Sequence, residues 1–455
     1  QLQSVTLSLS VFASYDSQTS VFMDNSRAAF WLAIGLALFT ILFGTRSLNA
    51  NERHHGVVMA IALEAVVKLL ALIAVGIFVV WGISGGISNV INEIDSSTIG
   101  HWDVDNSRWV ALTFLSAAAF ICLPRMFQVL VVENEDEDHL RTASWAFPIY
   151  LLLISLFVVP IAVVGLNIMP ENSNPDFFVL SIPLAMGRDN LAIFSFLGGF
   201  SSATSMVIVA SLAVATMVSN HIVMPLFLRW SSSKASGYGD VRFVVLTSRR
   251  ISIGLILLLG YLYFQLSGGG AALAAIGLVS FTGVAQILPS LLGGLFWRGA
   301  TRSGAIAGLI SGFSVWIYVS FLPSLGDGIV FSSNFINEGP FGFDWLRPQA
   351  LFGIEGLDPL VHAIFWSISL NSFFFFFVSI LSFPRPIERL QGAQIVNIFQ
   401  YEPSPQAWTA KKAQAEDLMV MCQRIMGVQQ AKNLFNEEVI RQGLSSDLPE
   451  PIPDF

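Results

Sequence analysis

The chain has 455 residues, 54% of them hydrophobic and only 12% charged, with a mean hydropathy of +0.67. Those values fall outside ordinary soluble domains and read as an integral membrane protein. A formal net charge of −8 argues against nucleic acid as a partner. Two cysteines, Cys122 in an apolar stretch and Cys422 in a polar tail, are too few and too separate for a disulfide framework or a cysteine metal site.

Residues 1–13, QLQSVTLSLSVFA, read as the last turns of an earlier span, and the sequence opens at Gln1 with no signal-peptide pattern. The expectation is an N-terminally incomplete membrane domain. Further on, apolar stretches near the length that crosses a bilayer as helix predict nine spans, at 28–45, 57–83, 108–130, 145–166, 190–217, 251–266, 271–297, 303–322 and 360–383. No ten-residue alternation suggests a barrel. Only Ser267 to Gly270 separate the sixth and seventh spans, which predicts a tight antiparallel hairpin. Lys and Arg fall unevenly on the two sides of these spans. Four, Arg27, Arg108, Arg188 and Arg347, lie on one side, and thirteen, running from Arg46 to Arg389 and including Arg125, lie on the other. The richer side is expected to be cytoplasmic, with the C-terminal tail on it, as in a multi-pass protein of the bacterial inner membrane.

After residue 383 the composition becomes that of a soluble segment, so 1–383 reads as the membrane domain and 384–455 as a small cytoplasmic connector. Thr409 is placed to cap a helix over 411–426 with Leu418, Met421, Cys422, Ile425 and Met426 on one face, closed by Gly427. A second helix, with Ala431, Leu434, Phe435 and Val439 as its apolar stripe, runs to Arg441 before Gly443, so the tail is expected to be a hairpin of two short helices.

The stretch FLGGFSSATSM, Phe196 to Met206, sets two glycines and two adjacent hydroxyls inside an apolar span. Two readings compete. Gly198, Gly199, Ser201, Ser202, Ala203 and Ser205 form a small-residue face on which a neighbouring helix can lie, each hydroxyl bonding back one turn. Alternatively the Ser201 and Ser202 hydroxyls and the Gly198 carbonyl are hard neutral donors for a small monovalent cation.

Three stretches together carry a resemblance. GGFSSATSM with VASLAVATMVSN resembles the eighth core helix of the sodium/solute symporter family. LPSLLGGLFWRGATRSGAIAGLISG, Leu288 to Gly312, resembles that family's tenth core helix and the one after it. FTILFGTRSLNANERHHGVVMAIALEAVVKLLALIAVG resembles the form of the domain fused to sensor histidine kinases of the CbrA type, and the tail resembles their connector. The resemblance implies an all-α polytopic fold of the LeuT type, built from two inverted five-helix repeats, with its first core helix preceding Gln1. It also implies sodium as the ion, bound through Gly198, Ser201 and Ser202. The implied function is a sodium-coupled solute transporter domain that serves as the membrane input of a two-component sensor histidine kinase. A small nutrient, an amino acid such as histidine or proline, would be the solute, and the lipid bilayer and kinase domains of the same polypeptide would be its other partners. The alternative is a stand-alone sodium/solute symporter with a regulatory tail. No phosphate-binding loop, hydrolase elbow or metal-binding histidine pair points to catalysis within these residues.

Other candidates have a bland and a functional reading. Glu64 and Lys68, four apart inside a span, predict an intramembrane ion pair or a proton relay. Thr282 and Gln286 share a helix face with Ser280 nearby, as solute-binding groups or as interhelical hydrogen bonds. Pro124, after the small residues Ser116 to Ala119, predicts a kink or a broken helix. His54 and His55 read as solvated residues at a helix start, without the neighbours of a metal site.

Overall fold

Apolar sequence in lipid must close its backbone hydrogen bonds internally. The computed structural model of the chain is accordingly helical, with no strand among the described residues. The structure describes residues 1–15, 25–44, 55–97, 106–134, 138–170, 173–230, 238–267, 273–325, 333–397 and 428–442, and the single residues 99, 136 and 422.

The first part of the chain forms α1 (Leu2–Tyr15), α2 (Asn25–Gly44), α3 (His55–Ile77) extended by a π-turn at Phe78–Ile83, and α4 (Ile87–Ser96). Next come α5 (Asn106–Cys122), α6 (Pro124–Phe127) with a π-turn to Val132, α7 (Asp138–Ser155), α8 (Val158–Ile168) and α9 (Phe178–Ala185). After these follow α10 (Asp189–Val218), α11 (Met224–Trp230), α12 (Tyr238–Leu266), α13 (Leu273–Ala285), α14 (Leu288–Phe296), α15 (Arg302–Trp316), α16 (Ser333–Glu338) and α17 (Pro359–Leu381).

Among the described residues, seven segments are long and apolar enough to cross a bilayer, and an eighth is added if α5 and α6, bent by 53° to one another, count as one span. Nine were expected. The stretch at 28–45 does form α2, a helix of 20 residues. At 1.5 Å per residue it reaches about 30 Å, the thickness of a hydrocarbon core. Short α4 and α9 fall between the expected spans, where the sequence reading placed only loops.

Proline sets the interruptions. Leu123 is extended (φ −68°, ψ 125°) before Pro124, which opens α6. A proline disfavours helical geometry in the preceding residue and brings no N–H of its own. Likewise Pro160 cannot donate to Leu156, where α7 gives way to α8, and Pro289 cannot donate to Ala285, where α13 gives way to α14. Arg125 thus lies in the second half of a broken span, and Arg141, Arg249, Arg250 and Arg302 also lie in spanning helices, near the ends where they still belong to the basic side. The asymmetry survives.

Packing follows small residues, as expected where lipid removes the hydrophobic drive between helices. Along α15, Gly304, Gly308 and Gly312 lie against Ser379, Asn371 and Phe375 of α17, so near that a Cβ on Gly308 would come within 2.8 Å of the Asn371 Oδ1. On the other flank α10 lies between α3 and α12, and α2 also packs on it. A buried cluster of Val75, Val79, Val90, Phe157, Ile161, Val164, Phe178 and Ile182 joins α3, α4, α8 and α9. The hairpin expected from residues 251–297 is not formed as such. Helix α12 packs on α2 and α10, whereas α13 packs on α5, α15 and α17, so the short connection joins helices that belong to different neighbourhoods.

The chain divides into two compact units, Gln1–Glu388 and Arg389–Phe455. Helix α18 (Pro386–Asn397) runs across that boundary, and α19 (Val428–Gln442) lies in the second unit with Ala431 buried. The connector's expected second helix falls on α19. Thr409, Gly443 and the expected helix at 411–426, apart from Cys422, lie outside the described residues, as does His54.

Candidate functional site

The serine doublet and the charged pair, read separately in the sequence, meet at one helix seam. Helices α3 and α10 run antiparallel, so positions on the two pair with falling register: Ala71 with Gly198, Lys68 with Ser202, Glu64 with Ser205. Gly198 allows the approach. A Cβ there would stand 3.0 Å from that of Ala71 and 3.4 Å from the Lys68 Cα.

Hydroxyls in an apolar helix usually return to a carbonyl of the preceding turn. Three of the four in this run do so. Ser201 donates to the Gly198 carbonyl at 3.2 Å, Thr204 to Ser201 at 2.9 Å and Ser205 to Ser202 at 3.4 Å. Ser202 instead turns across the seam, where its Oγ accepts a hydrogen bond from the Lys68 Nζ at 3.2 Å. Ser205 faces Glu64 across the seam. Glu64 and Lys68 attract one another, but no contact within 4.0 Å joins them. The direct ion pair expected from their spacing is not closed, and Lys68 bonds across the seam to Ser202 instead. The ammonium is met by a serine dipole, with the opposite charge one turn away. Arg125, brought to the seam by the break before α6, is within electrostatic reach of Lys68, and its Nε is buried without a hydrogen-bond partner.

Beside the seam lies a cavity of about 280 Å³. Lys68, Gly198, Gly199 and Ser195 line it, with Ser4 and Ser8 of α1 and Asp176 before α9. Its size is at the small end of ligand sites. Asp176 Oδ2 accepts from the backbone N–H of Leu273, the first residue of α13, at 3.1 Å.

The residues proposed for solute binding are placed elsewhere. Thr282 and Gln286 are fully buried. Thr282 donates to the Leu278 carbonyl at 2.9 Å. Gln286 donates to Ser367 at 2.8 Å, and Asn371 Nδ2 donates to the Gln286 carbonyl at 2.7 Å and to its Oε1 at 3.1 Å. Ser280 points away, exposed, bonding to Ile276 of its own helix at 3.0 Å. The three do not converge, and of their side chains Gln286 alone enters the polar cluster, with Ser367 and Asn371, that joins the end of α13 to α17. That arrangement answers to interhelical hydrogen bonding, the bland reading of these residues.

Sequence reasoning missed Ser367 and Asn371. Asn371 had a signal: it is a lone amide before the run FFFFF in a span, where polar groups need a stated partner. Arg125 falls inside the span expected at 108–130, but it was counted only toward the basic side, because nothing short of the bend shows that it reaches the seam.

No family model matches the chain. A stretch of 205 residues, 44% of the chain, is 25% identical to a protein of Bacillus subtilis (strain 168) described as an uncharacterized symporter, YodF. The match spans 38% of that relative's length, well under half. In fold, this chain is an all-helical multi-pass membrane protein.

Proposed function

We propose that this chain is the membrane domain of a solute transporter of the symporter kind, with its ion locus at the α3–α10 seam and its solute in the adjoining cavity. One observation carries the reading: a lysine, a carboxylate and a serine doublet are gathered inside apolar spans, beside a largely apolar cavity that holds a few polar groups and beside a broken helix. Ionisable groups at that depth are costly, and they mark ion and solute pathways. The partial likeness to a symporter supports the same reading. A shift between outward and inward states by differential binding is the mechanism such a site serves.

The finer proposal follows the family resemblance. Sodium is the coupled ion, held by the Gly198 carbonyl and the Ser201 and Ser202 hydroxyls within a LeuT-like fold, once Lys68 has withdrawn from Ser202. The tail from residue 384 carries the conformational state to a histidine kinase of the same polypeptide; the alternative remains a stand-alone symporter. Uptake of a panel of radiolabelled amino acids, sugars and carboxylates by cells producing the full-length protein tests transport. Ser201→Ala and Ser202→Ala are expected to weaken its sodium dependence. Saturable uptake equally fast in sodium and choline media for all three proteins removes sodium, and no uptake of any panel member removes the transporter reading.

A further inference from the structure

We propose that Lys68 is a built-in competitor for the cation: its ammonium is tethered at the Ser202 hydroxyl, and a free alkali cation binds the serine doublet only when Lys68 leaves. This rests on the reading of the seam as the ion locus and deepens it by naming the residue that sets ion affinity.

Ser202 is the hydroxyl of the run that faces α3 rather than its own preceding turn, and Lys68 takes it at 3.2 Å. A sodium ion bound by Ser201 and Ser202 would share that oxygen with an ammonium. Two unit charges at such a separation repel strongly where polarisability is low. The surroundings add to the conflict. Glu64 is the carboxylate facing Lys68 from its own helix, and Arg125 approaches from α6, so the cluster already holds two cations against one anion. A further cation raises the surplus, whereas exchange of one cation for another leaves it unchanged. Lys68 also lines the cavity, so its long side chain has space to swing into on release.

The experiment is a thermal-unfolding titration of the purified full-length protein with sodium chloride, and with choline chloride as control. It needs neither a known solute nor transport. In Lys68→Met the sodium-specific rise in Tm is expected to reach its midpoint at a concentration about ten-fold or more below that of the unmodified protein. Lys68→Arg, which keeps the charge, should not gain this sensitivity, and Ser202→Ala added to Lys68→Met should remove it. Lys68→Gln serves if the methionine variant does not fold. Midpoints that agree within about two-fold overturn the proposal, as does a folded neutral variant indifferent to sodium. If the unmodified protein ignores sodium and the neutral variant responds, the competition stands and sodium coupling of the natural protein falls.

Discussion

Gln286 shows at the scale of one residue what an amide does when helices replace water around it. Its side chain closes a cluster with Ser367 and Asn371, all fully buried. Interhelical hydrogen bonds in membranes average about 0.6 kcal/mol, yet a partner left buried and unpaired adds about 1–3 kcal/mol. Gln286→Leu is therefore expected to lower stability by about 1–3 kcal/mol. Denaturation in detergent measures it, while uptake per folded molecule should change little; a large loss of uptake at unchanged stability would return Gln286 to the solute site. Gly198 is the second telling position. Gly198→Leu must push against Ala71 and the Lys68 backbone and part α3 from α10, at a cost of about 1–3 kcal/mol. Its readout is a lowered Tm together with altered ion response, because the same glycine sets the distance between Lys68 and Ser202.

At the scale of elements, the break before Pro124 and the glycine face of α15 make opposite demands. Pro124→Ala restores an N–H and lets α5 run on toward α6. We expect the variant to be at least as stable as the parent but slower in uptake, since straightening carries Arg125 away from the seam; spin labels on α5 and α6 would report the loss of the 53° bend. Gly308→Val meets the Asn371 Oδ1 and the Phe375 Cβ, at 2.8 and 2.9 Å from the new Cβ. Both belong to a tightly packed span, and the expected outcome is failure to recover monodisperse protein. A third device ties the N-terminus of α17 to α5. Asp358 accepts from the Leu360 N–H at 2.9 Å as a cap and from Arg108 at 2.5 Å. Asp358→Ala should cost about 1 kcal/mol for the cap, and Arg108→Ala less, because Arg108 is partly exposed. Paired thermal melts compare them.

Across the whole molecule, the charge asymmetry persists when Arg125 is left out of the count, and it predicts that residue 384 onward is cytoplasmic. A fluorescent protein fused after the tail should fold and emit, whereas alkaline phosphatase at the same place should be inactive; the converse pattern inverts the topology. Residues such as Phe373, Phe376, Ile380 and Leu381 of α17 remain exposed because lipid, not protein, covers them.

Composition and apolar run length were sufficient to determine that the chain is a bundle of membrane helices, since a backbone without water has one local way to satisfy itself. Pro124 announced its break, because the missing N–H is a property of that residue alone. FLGGFSSATSM announced a close approach and a cluster of oxygens, but not which partner they meet. That depended on register between α3 and α10, which are more than a hundred residues apart in sequence. Spacing of four put Glu64 and Lys68 within reach of one another, and only the neighbouring helix turned Lys68 toward a serine instead. Thr282 and Gln286 shared a face in any helix, yet whether that face met a cavity or α17 was decided by packing. Tertiary structure chose the partners because a polar group inside lipid bonds to whatever donor or acceptor the adjacent helix brings, and adjacency is not written in local sequence.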